Sequence, residues 1–232
     1  MRRAVLAGAL LAGLAGALPA HAQAARPSLR PGRLVLGLGA AWLGGEDLGT
    51  VRAETRASAV GTTSPPAFTL FTTESRLDAA PAVEGTVTVA VTRTWAVEVR
   101  GSLRRPALTT TITGDTEASG TFTAREDVAE YVVDGSLLYH PGWGAIGSRT
   151  RVYLLAGGGY LRQLHDDDVL VETGTTAHAG TGARVWLAGG RGRGLDAGVT
   201  ADVRWVVRRD GIAFGDGIRS VPAFSLRAFV GF

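Results

Sequence analysis

The sequence has no cysteine, a single methionine and no lysine. Without cysteine there is no disulfide framework and no thiolate metal site. All 24 basic residues are arginine, against 21 acidic ones. Setting Arg2 and Arg3 aside with the leader described below leaves 22 against 21, a net charge of +1. The high isoelectric point therefore carries no message about nucleic acid, and no basic stripe runs along the chain. Aromatic residues are sparse, at 7%. Long apolar runs are nearly absent too. The one such run, Ala4 to Leu18, is shorter than the ~20 residues that a membrane-spanning helix needs.

That run is better read as a secretory signal. Arg2 and Arg3 form a charged start, Ala4 to Leu18 the apolar centre, and Ala20-His21-Ala22 a small-x-small cleavage site. The expected organisation is a signal peptide over residues 1–22, a short periplasmic leader over 23–32, and one domain over 33–232. No cysteine stands near the cleavage site, so lipid attachment there is excluded.

The domain is dominated by two-residue alternation, the mark of a strand with two unlike faces. Eight segments show it: Leu34 to Leu43, Val83 to Thr92, Trp95 to Arg104, Val128 to Tyr139, Arg151 to Gln163, Ala177 to Leu187, Leu195 to Arg208, and Phe224 to Phe232. The fifth is ambiguous in phase, and its Gly157-Gly158-Gly159 points to a bend or a close backbone approach. Connections alternate in length. Short ones (Thr92-Arg93-Thr94, the turn around Pro141-Gly142-Trp143-Gly144, Gly189 to Gly194) are expected on the periplasmic side. Longer ones (Gly44 to Ala82, Arg105 to Asp127, His165 to Thr176, Asp210 to Ser220) are expected as outer loops.

Alternation also suits a soluble lipocalin-like barrel. Three features favour a membrane barrel. On seven of the eight segments the apolar face carries no charge over roughly the ~9–11 residues that cross a bilayer. The large aromatics of that face sit at strand ends, with Trp42, Tyr131, Trp205 and Phe224 at one rim and Trp95, Tyr139 and Phe232 at the other. Two aromatic girdles around an aliphatic band match a lipid environment. The last strand, with Ala228, Val230 and Phe232 on its apolar face, ends on an aromatic at the girdle position, as an assembly signature would. In these respects the chain resembles the small outer-membrane barrels of the OmpA/OmpX and opacity-protein type. The resemblance implies an all-β, eight-stranded, antiparallel up-and-down barrel in the outer membrane of a Gram-negative bacterium. Its implied partners are outer-membrane lipid, lipopolysaccharide and the barrel-assembly machinery, with a host or surface ligand on the outer loops, and its implied state is a monomer.

The polar face holds Glu84, Glu98, Glu130, Asp134, Asp196 and Asp202 beside Arg100, Arg104, Arg184, Arg204, Arg208 and Arg227. An eight-stranded interior is just wide enough to be filled by side chains, so these charges must pair. Strand adjacency suggests Arg100 with Asp134, Arg227 with Asp202, and Glu84 with Arg104. Balanced sign favours a structural network over a selective pore, which usually shows one dominant sign. A narrow ion or solute channel is the alternative. No catalytic, cofactor or metal residues are expected. Barrel lipid A deacylases use His-x-Ser-Asn, whereas His178 is followed by Ala179, Gly180 and Thr181 and falls on the inner face. His165-Asp166-Asp167-Asp168 reads as a solvated loop tip. Phe229, an aromatic on the polar face, is expected to fill space among lumen glycines.

Overall fold

The computed structural model describes residues 30–56, 67–116, 120–165, 170–188, 194–212 and 217–232. The signal peptide, most of the leader, Thr62 to Pro66, Asp166 to Asp168 and most of the Gly189 to Gly194 turn lie outside them. The described residues hold twelve strands in chain order: β1 Leu34–Leu43, β2 Glu46–Arg56, β3 Ala67–Leu77, β4 Ala80–Ala90, β5 Trp95–Arg104, β6 Ala107–Thr113, β7 Phe122–Tyr139, β8 Ala145–Ile146, β9 Thr150–His165, β10 Val171–Ala188, β11 Asp196–Asp210 and β12 Arg219–Gly231. The described residues contain no α-helix, only a 3-10 turn at Gly142–Gly144.

Eight of these strands close a ring in the order β1-β4-β5-β7-β9-β10-β11-β12, all neighbours antiparallel. Pairing of β12 with β1, from Val35 opposite Gly231 to Leu43 opposite Ala223, makes the seam. Closure leaves no free edge in this part of the wall. The expected fold is thus the one observed, and the limits of β1 and β5 coincide with those expected.

The two-residue period sorts the wall into two faces. Leu38, Val99, Val133 and Leu226 point outward, and Leu38 and Leu226 remain 66% and 60% exposed. Charged and small residues point inward. Along β9 the inner row is Arg151, Tyr153, Leu155, Gly157, Gly159, Leu161 and Gln163, which settles the phase of that strand. Gly157 and Gly159 are where β9 comes closest to β7. A Cβ on Gly157 would stand 2.1 Å from the Gly135 carbonyl oxygen, and one on Gly159 2.2 Å from that of Val133. Phe229 fills the space over Gly198, where a Cβ would meet its ring at 2.7 Å. It packs edge-on against Trp186, with ring centroids 5.9 Å apart. Of the seven aromatics expected in girdles, Trp42, Trp95 and Tyr139 lie at the ends of β1, β5 and β7 and Phe232 just past β12, whereas Tyr131, Trp205 and Phe224 stand inside the longer strands β7, β11 and β12; Trp42 neighbours Phe224 at 5.8 Å and Trp95 neighbours Tyr139 at 4.7 Å.

Two long connections read as loops are instead largely strand. The Gly44 to Ala82 stretch holds β2 and β3, and the Arg105 to Asp127 stretch holds β6 and the start of β7. They prolong the wall beyond the ring. β2 continues β1 past Gly44-Gly45, β3 runs into β4 across Asp78-Ala79, and β6 continues β5 past Arg105-Pro106. β2 pairs with β3, β3 with β6, and β6 with β7. Pro106 lacks an N–H and so interrupts the ladder, but its carbonyl accepts from Val128 N at 3.0 Å and the ladder resumes. The seam behaves differently. The hydrogen bond from Gly44 N to the Pro222 carbonyl, 2.9 Å, is its last backbone bond toward the extension, and β2 and β12 share no ladder among the described residues.

Candidate functional site

All twelve charged residues expected in the lumen are buried. Each sits on an inward position of a wall strand. They form two interlocked groups and a sparser third.

The middle group draws on β4, β5, β11 and β12. Arg204 donates to Glu84 at 2.6 Å and to Ser225 Oγ at 2.6 Å. Arg100 reaches Glu98 at 2.6 Å, Glu84 at 3.4 Å and Asp202 at 3.9 Å. Arg227 joins Glu84 at 3.2 Å and Glu98 at 3.3 Å, and also donates to Asp202. Thr88 donates to Glu98 and Tyr153 to Asp202, at 2.9 and 3.2 Å. Three carboxylates and three guanidiniums therefore share one buried cross-section, and their mutual attraction offsets their desolvation.

The outer group centres on Glu130, which is 1% exposed. Its carboxylate accepts from Arg104 at 2.5 and 2.9 Å, from Arg208 at 2.7 and 2.9 Å, and from Gln163 at 2.9 Å. The two forked arginine contacts are the strong, charge-assisted kind. Glu46 adds a second carboxylate, 2.7 Å from Arg208, 3.6 Å from Arg104 and 3.9 Å from Arg219. Since Glu46 belongs to β2 while Arg208 and Arg219 belong to β11 and β12, these ion pairs bridge the part of the seam that has no ladder.

Of the expected pairs, Arg227 with Asp202 forms. Arg100 with Asp134 does not: the two are directly opposite in the ladder, but the Arg100 side chain turns the other way, to Glu98 on its own strand and Glu84 on β4. Glu84 with Arg104 does not form either. Arg104 faces Glu130 across β5 and β7 and grips it with both arms, while Glu84 turns to Arg204 and Arg227. Asp134 lies 3.7 Å from His178 Nε2, and that same nitrogen is 2.8 Å from Ser136 Oγ. A Ser-His-acid relay needs the acid on the other ring nitrogen, so this buried trio lacks the geometry for nucleophilic catalysis. Asp196, expected in the network, pairs with Arg33 at 2.6 Å at the periplasmic mouth. Sequence reasoning missed Glu46, Gln163, Tyr153, Arg33 and Arg151. No group of His, Asp and Glu among the described residues is arranged to hold a metal ion.

At the periplasmic turn after β7, His140 is fully buried and its ring lies 5.4 Å from Tyr153. Burial, then the charges of Arg184 and Arg151, hold its imidazole far below the usual range, at about 3. It is neutral at any physiological pH.

A closed eight-stranded wall, apolar outside and charged within, defines the class: a transmembrane β-barrel of the outer-membrane kind. No protein-family model matches the chain, and no curated protein matches it in sequence. Solved structures do. The outer-membrane protein OprG from Pseudomonas aeruginosa superposes with a TM-score of 0.51 at 12% identity, over 89% of this chain and 99% of that one. Ail, the attachment invasion locus protein of Yersinia pestis, solved with the heparin analogue sucrose octasulfate, gives 0.44 at 12% identity, over 88% and 100%. The likeness to OprG is one of fold.

Proposed function

We propose that this protein is a non-enzymatic outer-membrane barrel of a Gram-negative bacterium, sealed by its ion pairs and presenting the β2-β3-β6-β7 extension at the cell surface. The observation that carries this reading is the middle group. Six charged side chains from four wall strands interlock across the lumen, and each of the six is at most 5% exposed. Arg204 of β11 meets Glu84 of β4, with β1 and β12 between them in the ring, so the contact crosses the interior. On this reading Trp42, Tyr131, Trp205 and Phe224 mark the outer interface and Trp95, Tyr139 and Phe232 the inner one. Outer-membrane lipid and lipopolysaccharide surround the wall, and Ala228, Val230 and Phe232 are what the assembly machinery reads. The closed ring needs no second copy to complete it, in keeping with a monomer.

Planar bilayers test the seal. The purified barrel is expected to give no discrete conductance steps above the lipid background, and Glu98→Ala, which opens the middle group, is expected to give them. Steps from the unaltered protein that vanish in an Arg100 variant would instead support the narrow-channel reading, which the same residues could serve by exchanging partners.

The outward face provides a second test. Leu38 lies midway along β1 and is among the most exposed apolar residues of the wall. Leu38→Arg is expected to cost about 2–4 kcal/mol, the range for arginine at the bilayer midplane. Denaturant unfolding from phospholipid vesicles measures it. An unchanged midpoint would place this face in water.

A further inference from the structure

The lumen arginines do not all find acids. Among the six expected from sequence, Arg100, Arg104, Arg204, Arg208 and Arg227 each hold at least one carboxylate. Arg184 holds none within ion-pair distance among the described residues, although it is only 3% exposed. Its Nε and Nη1 are buried without a hydrogen-bond partner. One face of its guanidinium lies 5.1 Å from the centre of the Phe229 ring. Glu98, whose charge reaches it from higher in the lumen, is already held by Arg100 and Arg227.

The neighbours on the wall sharpen the imbalance. Arg184 is paired across the ladder with Arg151 on one side and Thr200 on the other, and Thr200 is followed by Arg227. All four side chains point inward and are buried. Arg151 donates from Nη2 to the Arg93 and His140 carbonyls at 3.2 and 3.5 Å, whereas Arg184 is a buried guanidinium without a counter-charge, a strongly unfavourable state. Thr200 Oγ1, beside Arg184, is also buried without a hydrogen-bond partner. The neutral His140 nearby removes no positive charge and adds none. Arg184 lies four residues from the end of β10, so the site is within reach of the periplasmic mouth.

We infer that the periplasmic end of the lumen binds a small inorganic oxoanion of the phosphate or sulfate class, held by Arg184 with the Thr200 hydroxyl. A tetrahedral oxoanion offers the acceptors that the Arg184 Nε and Nη1 hydrogens and the Thr200 hydroxyl lack, and its charge is the counter-charge that Arg184 is without. The chemistry favours a guanidinium fork over a point charge. The inference does not rest on the barrel being sealed or on its orientation of display; it would hold for a channel as well.

The test is calorimetric titration of inorganic phosphate into the folded full-length chain in a phosphate-free, non-lipid detergent at fixed ionic strength. One saturable site is expected, with sulfate competing. Arg184→Gln is expected to weaken it at least about tenfold, as loss of a charged hydrogen-bond partner would. Heat-dependent gel mobility establishes that each variant is a folded barrel. Because Arg184→Gln removes a buried charge, Thr200→Val serves as the second variant; it keeps the charge and shape and is expected to weaken binding several-fold. No saturable heat with the unaltered barrel would overturn the site, as would equal affinity in a folded Arg184→Gln or in Thr200→Val. Binding seen only when phosphatidylglycerol is added, with free phosphate inert, would also overturn it in favour of a lipid headgroup.

Discussion

Glu130→Ala is expected to destabilise the folded barrel by about 3–5 kcal/mol, the cost of removing one partner from a buried ion pair. Glu130 accepts five hydrogen bonds, four of them from guanidiniums. Alanine leaves Arg104 and Arg208 facing each other with only Glu46 to share, 3.6 and 2.7 Å away. The penalty comes mainly from these orphaned charges and less from the lost attraction. Glu130→Gln keeps an acceptor and loses the charge, so it should fall between. The double variant Glu130→Ala with Arg208→Met should recover part of the loss, because it removes one orphan and substitutes an apolar chain of similar length. Denaturant midpoints for folding into phospholipid vesicles give the three values. If Glu130→Ala matched the unaltered protein within about 0.5 kcal/mol, the range of an ordinary surface change, the outer group would be hydrated and could not act as a seal.

Which residues face inward was legible, because a strand's side chains alternate and a charge on the lipid side is costly. Which acid meets which arginine was not. A guanidinium on a long stem reaches past its ladder neighbour to a residue one or two rows away. Arg100 therefore leaves Asp134 on β7 for Glu98 on its own strand and Glu84 on β4, while Arg104 stays with its neighbour Glu130 because both arms fit there. Gln163 was overlooked because it carries no charge, although Glu130 and the Ile212 backbone N–H both bond to it. Arg151 and Tyr153 were overlooked for another reason. The glycine run at 157–159 erases the contrast between faces, so the phase of β9 could not be read from either side.

The extension was illegible for a physical cause. Outside the membrane neither face of a strand must be apolar, so Glu46 to Arg56 and Ala107 to Thr113 carry no two-residue pattern. They read as loop, being rich in threonine and charge. Glu46 was lost with them, since Gly44-Gly45 ahead of it looks like a turn. In the structure these glycines join β1 to β2 where the chain passes close to the end of β3: a Cβ on Gly45 would stand 2.9 Å from the Leu77 carbonyl oxygen. The consequence reaches the seam. Where β2 and β12 no longer share backbone bonds, Glu46 with Arg208 and Arg219 supplies the connection, and the outer ion-pair group does the work of a missing stretch of ladder.

Gly159→Ala is expected to prevent the barrel from forming under conditions where the unaltered chain folds. The added Cβ would stand 2.2 Å from the Val133 carbonyl oxygen and 2.5 Å from Asp134 Cα. Both atoms belong to the β7 backbone, so no rotamer change relieves the clash. Relief requires β7 and β9 to move apart, which breaks the ladder on either side of Asp134 opposite Gly159. The loss should exceed the ~1–3 kcal/mol of ordinary core overpacking, and Gly157→Ala should behave alike because its Cβ meets the Gly135 carbonyl oxygen at 2.1 Å. Gly101→Ala on β5 is the control: its Cβ meets nothing within 4 Å. Adding a side chain to a strand glycine in open space should be neutral or stabilise by up to about 1 kcal/mol. Refolding yield, read as the heat-sensitive folded band on a gel, separates the three. If Gly159→Ala folded as well as Gly101→Ala, close approach of β7 and β9 would not be what shapes the wall. The glycine run would then serve only to leave room in the lumen, where Asp134, Ser136 and His178 sit across from it.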